Sequence, residues 1–292
     1  EIVVTAQRRE ENLQDVPLSI TAFDSTTIQQ AGITNLIDVA ELTPGLSFFN
    51  ALGETLPVPV IRGIAPTDIF GQNNAAVVVD GVFISGREGL NFSQLDLERI
   101  EVVKGPQSAQ YGRNAFSGAL NYVTKDPGDE LEGRALVETG NDGKRRGLAM
   151  ISGPILGETL TGRVSFLYDE WDGSYDNPLS NVDVGGYRYR SWQAKLLWKP
   201  NEDLRVSLAY YKSNDDIDDP AVVSLSSNCE DRIGDGNSSV RFQNFCGQIP
   251  ELEDIPGQNG SDGIQRISQA TGENRDLDRL ILRADWEAEG LG

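Results

Sequence analysis

Histidine is missing from this chain altogether, which removes the commonest metal ligand, the usual general base and the Ser-His and Cys-His nucleophile pairs together. An enzyme is therefore not the reading to which the composition leads. Methionine occurs once and cysteine twice in 292 residues, so a site for a bare soft metal has few donors to draw on. Basic residues are scarce as well: 25 Lys and Arg stand against 45 Asp and Glu, a formal net charge of -20. A phosphate backbone would be repelled by that balance, which argues against nucleic acid as a partner. No run of about 18 apolar residues is present, so no transmembrane helix is expected, and no cleavable signal sequence is read at the start. If the protein is exported, the expectation is that this is its mature form.

What the chain does contain is organised around residues 75–127. Three short apolar strands are predicted there, at 77–80, 99–104 and 119–124, separated by glycine-rich turns. Between the last two, GPQSAQYGRNAFSG places Gly105, Pro106, Gly112 and Gly118 in one connector, whose backbone must turn sharply or approach another surface closely. Upstream, 16–23 alternates as a strand, Asp24 is placed to cap a short helix that Gly32 ends, and Thr34 is placed to cap a second. In that second helix Ile33, Leu36, Ile37 and Ala40 share a face, and Thr43, Pro44 and Gly45 stop it. The two helices are expected to cover a sheet, with further strands at 46–49 and 59–63.

After Pro127 the texture changes to glycine-punctuated alternation. In 159–171, Leu160, Gly162, Val164, Phe166 and Tyr168 oppose Thr161, Arg163, Ser165 and Asp169. In 191–198, Trp192, Ala194, Leu196 and Trp198 oppose Ser191, Gln193 and Lys195, with tryptophans at the ends of the apolar row as in a membrane belt. Similar strands are read at 133–139, 145–152, 204–211 and 280–286, about six in all. Their connectors alternate: a short one near Asn141, a turn near Pro154, a longer one at 172–186, a turn at 200–203 and a very long one at 212–275. Short turns on one side and lengthening loops on the other are the pattern of an outer-membrane β-barrel, its apolar rows against outer-membrane lipid.

The stretch ERIEVVKGPQSAQYG (98–112), followed by SGALNYVTK (117–125), resembles the plug-domain signature of TonB-dependent outer-membrane receptors. The resemblance implies a fold of an α+β plug domain, a mixed sheet with short helices, followed by antiparallel strands of a transmembrane β-barrel. It divides the chain into a tail at 1–14, a plug at 15–127 and the first part of the barrel at 128–292, with an extracellular loop at 212–275. Six strands do not close a barrel around such a plug, so the chain reads as truncated. The tail EIVVTAQ, namely Glu1, Ile2, Val3, Val4, Thr5, Ala6 and Gln7, is similar to the segment that pairs with an edge strand of TonB in the periplasm. Strand addition needs a segment that can leave its own domain, and the tail is expected to be extended and poorly anchored. An ordinary first strand of a sheet is the alternative.

The same resemblance implies three plug loops raised into a ligand-binding vestibule. They carry Asn50, Glu54, Asp68, Phe70, Gln72, Asn73, Arg87, Asn91 and Phe92 as candidate contacts, any one of which could equally be a solvated turn residue. Arg62 and Lys104, each placed in a plug strand, are implied contacts to glutamates on the barrel wall. Lys104 stands where the family usually has Arg, which puts a bidentate pairing in doubt. A local ion pair with Glu98 or Glu101 is the alternative. Cys229 and Cys246 lie in the long loop, where an oxidising compartment would let them form a disulfide worth about 3 kcal/mol. Asp231 and Asp235 near them lack the spacing of a calcium loop and read as a solvated acidic run.

The function these features imply is a receptor that binds a scarce solute outside the cell, most simply a ferric siderophore, and admits it when TonB, with its inner-membrane energising complex, pulls the tail. No enzyme activity, resident cofactor or metal site is implied. Oligosaccharide, cobalamin or another metal chelate would serve the same transporter class. A surface adhesion or structural protein built on a secreted β-sheet is the alternative from another class.

Overall fold

The structure, a computed structural model, describes residues 3–5, 11–49, 57–66, 72–85, 96–173, 175–177, 182–218 and 272–286. The first sheet is five-stranded and mixed. Its members are β3 (Ser19–Asp24), β6 (Ala75–Val79), β7 (Val82–Phe83), β8 (Leu97–Lys104) and β9 (Gly118–Thr124), in spatial order β3, β8, β9, β6, β7. β9 runs antiparallel to β8 but parallel to β6, and all five residues of β6 are buried, as a strand covered on both faces must be. One face packs Ile100, Val102, Leu120, Tyr122, Val77 and Val79 into the main apolar cluster. Burial pushes the Tyr122 hydroxyl up, so this ring stays neutral.

α1 (Ser25–Gln30) and α2 (Leu36–Glu41) flank that sheet. Asp24 caps α1, its Oδ1 accepting from Thr27 N at 2.8 Å, and the Thr27 hydrogen bonds hold its carboxyl below the usual carboxylate range. The cap of α2 is Asn35, not Thr34. Asn35 Oδ1 accepts from Ile37 N and Asp38 N, while Asp38 Oδ2 accepts from Asn35 N at 3.1 Å, a reciprocal box that a threonine one residue earlier cannot close. Thr34 instead donates its N–H and hydroxyl to Asp38 Oδ2. The cap also sets the face: Leu36 and Val39 are buried with Ile33, and Ile37, expected to join them, is 37% exposed.

Two short pairs accompany this sheet. β4 (Leu46–Phe49) pairs antiparallel with β5 (Val58–Ile61). β1 (Val3–Val4) pairs antiparallel with β2 (Glu11–Asn12). The expected free tail is thus held at 3–5, and Val4 is completely buried, which stabilises docking by about 2 kcal/mol. Gly118 explains the connector. A Cβ there would sit 2.3 Å from Val103 O and 2.8 Å from Ile61 Cδ1, so only glycine lets β9 close on β8. Between Gly105 and Gly118 the chain makes one helical turn, α3 (Ser108–Tyr111).

The second sheet has six antiparallel strands in sequence order. They are β10 (Glu132–Thr139), β11 (Arg145–Leu156), β12 (Leu160–Trp171), β15 (Tyr187–Trp198), β16 (Leu204–Ile217) and β17 (Glu273–Trp286), every one at a predicted place. Three boundaries differ from expectation. Pro154 lies inside β11, opposite Thr161 where the register begins to shift, and the turn falls at 157–159. The longer connector holds a small hairpin of β13 (Tyr175–Asn177) and β14 (Val182–Val184). The very long connector is 218–272, because β16 and β17 continue six and seven residues past the predicted strand ends.

Alternation gives this sheet two unlike faces. Val164, Phe166, Trp192, Leu196, Trp198, Leu208, Leu280, Leu282 and Trp286 point outward and are exposed. Thr161, Arg163, Ser165, Lys195, Ser213 and Asp215 point inward and are buried. Apolar side out and polar side in is the arrangement of a lipid-facing barrel wall. Leu167 and Tyr211 of the inner face join the first sheet's apolar cluster, with Leu148 and Leu277 packed beside them. The mixed sheet therefore sits against the inside of the wall. Among the described residues the order β10 to β17 is open and its ends do not pair.

Candidate functional site

Three arrangements carry the chemistry. The first is the docked tail. Glu101 is fully buried on the face of β8 away from the main cluster. Its Oε1 accepts from Thr5 N at 2.8 Å, from the Thr5 hydroxyl at 3.2 Å and from Arg99 Nε at 2.7 Å, and its Oε2 accepts from Asn121 Nδ2 at 3.0 Å. Arg99 Nη2 also donates to Thr5 Oγ1 at 3.0 Å. A buried carboxylate left bare would be costly, so each of these donors matters to the plug as well as to the tail. The group opens on a cavity of 780 Å³ whose other walls include Lys195, Arg205 and Arg283 near the short-turn end.

Two polar clamps tie plug to wall. Arg163 Nε donates to Asp96 Oδ2 at 2.5 Å and Ser165 Oγ to the same oxygen at 3.2 Å, with Arg163 6% and Asp96 10% exposed at the side chain. Lys195 Nζ donates to Thr124 Oγ1 at 3.0 Å and Thr124 O at 3.2 Å and pairs with Asp126 at 2.8 Å. Arg205 pairs with Asp126 too. Asp80, in a left-handed turn, takes the Thr124 N–H and hydroxyl and so fixes the end of β9 that Lys195 reads.

On the long-connector side of these clamps, the inner wall bears a level of ionic side chains. Glu138, Arg146, Asp169, Tyr189, Asp215 and Arg275 follow one another across the strand register. Arg275 donates to Asp215 Oδ2 from Nε at 2.9 Å and Nη2 at 2.5 Å. Lys144 donates to Asp169 Oδ1 at 2.5 Å and to the Tyr187 hydroxyl at 2.7 Å.

Several candidate residues read from the sequence are described. Val3, Val4 and Thr5 form the docked strand and its anchor. Gln72 is exposed, and Asn73 is buried at 9% with its Oδ1 lacking a hydrogen-bond partner. Arg62 is not in a strand: it follows β5 in the left-handed region at φ 53°, is exposed, and its Nη1 lies by Gly105. Lys104 ends β8, with Nζ donating to Thr21 Oγ1 at 3.1 Å and Pro44 O at 3.2 Å. Lys104 and Glu101, three apart on one strand, point to opposite faces, and Glu101 pairs with Arg99 instead. Glu1, Ile2, Ala6, Gln7, Asn50, Glu54, Asp68, Phe70, Arg87, Asn91, Phe92, Cys229, Cys246, Asp231 and Asp235 lie outside the described residues.

The Glu101 group, the Asp96 and Lys195 clamps and the ionic level were not singled out from sequence. Their one visible signal was charge at inward phase in an otherwise regular alternation, as at Arg163 and Lys195.

A small mixed sheet lodged against the polar inner face of an outward-apolar antiparallel wall is the arrangement of a plug domain against part of an outer-membrane barrel wall. Residues 12–119 match the family model of the TonB-dependent Receptor Plug Domain, and the relatives and solved structures to which the chain is similar are TonB-dependent receptors. It is 27% identical over 203 residues to the pesticin receptor of Yersinia pestis, covering 69% of this chain and 30% of that protein. It is 35% identical over 128 residues to the vitamin B12 transporter BtuB of Vibrio vulnificus strain CMCP6, covering 42% and 20%. Among solved structures, the ferric yersiniabactin uptake receptor FyuA from Yersinia pestis superposes with a TM-score of 0.65 at 26% identity, over 71% of this chain and 33% of that one. The ferripyoverdine receptor of the Pseudomonas aeruginosa outer membrane shares the fold, with a TM-score of 0.64 at 19% identity over 77% and 29%. The chain thus spans about a third or less of the length of these relatives. They are transport receptors, not enzymes, and the outer membrane is where this chain belongs.

Proposed function

We propose that the protein of which this chain is part binds a scarce solute at the cell surface and imports it into the periplasm, energised through TonB and its inner-membrane complex. The observation that carries the reading is the strand at Val3–Val4: short, beside the cavity that Arg205 and Arg283 line, and held among the described residues by a two-residue hairpin partner, the burial of Val4 and the Glu101 group. Such a strand can exchange its docking for an edge strand of TonB, main chain for main chain. Residues 1–7 are the TonB-binding segment in this reading. The short-turn rim faces the periplasm, and 172–186 and 218–272 face outside.

A ferric siderophore is the preferred cargo, since relatives are receptors for ferric yersiniabactin and ferripyoverdine; cobalamin, oligosaccharide or another chelate is the second choice. The raised loops with Asn50, Glu54, Asp68, Phe70, Gln72, Asn73, Arg87, Asn91 and Phe92 supply plug-side contacts, Arg62 and Lys104 meet the barrel, and Cys229 with Cys246 close the outer loop. The domain limits 1–14, 15–127 and 128–292 belong to the same reading. Its test is deletion of residues 1–7 from the full-length protein. Uptake should be abolished while solute binding at the surface is retained; uptake that continues unchanged rules the reading out.

A further inference from the structure

The outward face of the wall changes character part-way along β15 and β16. On β15 the outward side chains run Trp198, Leu196, Ala194 and Trp192 from the short-turn end, and the next two are Arg190 and Arg188. On β16, Leu208 and Tyr210 are followed by Lys212. Arg190 stands eight residues beyond Trp198, and Lys212 eight beyond Leu204, the register partner of Trp286. On strands tilted by about 40° that is a height of about 20 Å, inside the upper edge of a lipid band about 25 Å tall. Both cations therefore lie where acyl chains give way to headgroups.

The carboxylates of this region are engaged elsewhere or lie too high. Glu170 Oε1 accepts from Arg188 Nε at 2.7 Å and Nη2 at 2.5 Å, and its Oε2 from the Tyr168 hydroxyl at 2.7 Å. Asp278 accepts from the Tyr210 hydroxyl and leaves Lys212 Nζ 3.5 Å away. Arg190 reaches Asp216 at 3.4 Å, but Asp216 also faces Arg188 at 3.9 Å and stands four residues beyond Lys212 on β16, above the band. The side chains of Arg190 and Lys212 stay 49% and 37% exposed, and ion pairs this long and open contribute little.

The two cations are neighbours. Arg190 is opposite Asn214, hence diagonal to Lys212 at about 7–8 Å, a gap that two long side chains close on one anion. Lys212 is opposite Trp192, whose ring meets that of Tyr210 edge-on at 5.0 Å. A chain of net charge -20 is not drawn to an anionic surface as a whole, so attraction here has to be local.

We propose that Arg190 and Lys212 bind the phosphate of a lipid in the outer leaflet, with Trp192 and Tyr210 lying along the upper part of its acyl chains. The guanidinium fork matches two phosphate oxygens, the ammonium adds a point charge, and indole and phenol rings favour this depth. The site is on the outer side of the wall, apart from any imported solute. It takes from the import reading only which rim faces outside.

The test uses the purified full-length receptor in detergent, titrated with diphosphorylated lipid A and followed by tryptophan fluorescence, since Trp192 adjoins the site. Saturable binding is expected. A cation at a charged lipid surface changes affinity by roughly fivefold, so Arg190→Gln and Lys212→Gln should each weaken binding by about that factor and the double variant by about twentyfold. Dephosphorylated lipid A should bind the wild type as weakly as the phosphorylated form binds the double variant, a comparison that needs no variant to fold well. Lys199→Gln, just past β15 at the short-turn rim, should bind as the wild type does.

The inference is overturned if dephosphorylated lipid A binds as tightly as the diphosphorylated form, or if the folded, heat-modifiable double variant binds as the wild type does. Equal loss in Lys199→Gln, or equal binding of phosphatidylglycerol, overturns it too, because attraction to any anionic headgroup needs no site. Competition by millimolar inorganic phosphate would assign the pair to a free anion and remove the lipid. None of these measurements involves uptake, so their failure leaves the import reading to the residue 1–7 deletion.

Discussion

The amide of Thr5 donates to the buried carboxylate of Glu101 at 2.8 Å, joining the tail to a plug strand 96 positions further along the chain. The bond serves two ends at once: it satisfies a carboxylate with no access to water, and it occupies the backbone that strand addition requires. Thr5→Val keeps the amide bond and deletes the hydroxyl that accepts from Arg99 and donates to Glu101, a loss of about 1 kcal/mol of docking. A roughly fivefold tighter binding of the isolated TonB C-terminal domain to the full-length variant is expected, read by surface plasmon resonance. Unchanged affinity would mean that the tail's docking does not compete with its partner.

The Asp96 clamp sets how firmly the plug stays in place. Arg163→Ala leaves Asp96 without its charge partner in a site where both side chains are almost fully covered, a change that costs about 3–5 kcal/mol in a buried pair. Faster proteolytic cutting near Asp96 in the variant, with the wall still assembled, is the expected result. Asp96→Asn, which retains an acceptor, should fall between the two.

Where sequence spoke clearly, it was through local periodicity. The alternation in Leu160–Trp171 needs no tertiary information, because apolar and polar residues there face opposite solvents, and the strand lies where it was predicted. Helix α2 shows the limit of local rules. Thr34 and Asn35 are both able caps, and the choice fell to Asn35 because Asp38 stands three residues after it and returns the bond. Pro154 was read as a turn marker from its identity alone, yet near a register shift its missing N–H is tolerated inside a strand. Thr5 with Glu101, Asp96 with Arg163 and Thr124 with Lys195 could not be seen at all, since each pair is brought together only by packing the plug into the wall.

Asp24 gives a pH signature. Hydrogen bonds from Thr27 lower its carboxyl pKa in the folded chain, so the ionised form is favoured more in the folded than in the unfolded state. That contribution is fully present above the unfolded value near 4 and disappears as pH falls through the lower folded value. Amide exchange at Thr27 should therefore be best protected near neutral pH and lose protection in acid beyond the intrinsic rate change. Asp24→Asn, which keeps a cap without a titrating group, should show no such acid-dependent loss; a parallel loss in both would assign the effect elsewhere.

Leu280 tests which face of the wall meets lipid. It lies outward, 68% exposed, on the strand that reaches Trp286 at the short-turn rim, and its register partner is Tyr210. Arginine at the middle of a lipid-facing band costs about 2–4 kcal/mol, falling toward zero near the interface. Leu280→Arg in the full-length protein should lower the yield of folded, heat-modifiable receptor in vesicles, while Leu204→Arg, at the short-turn end of β16, should cost little. The inward position Leu277 gives the contrast, because it packs on the plug's cluster and not on lipid. Leu277→Ala should leave insertion intact and loosen the plug, whereas equal loss of insertion from Leu277→Ala and Leu280→Arg would show that the two faces had been assigned the wrong way round.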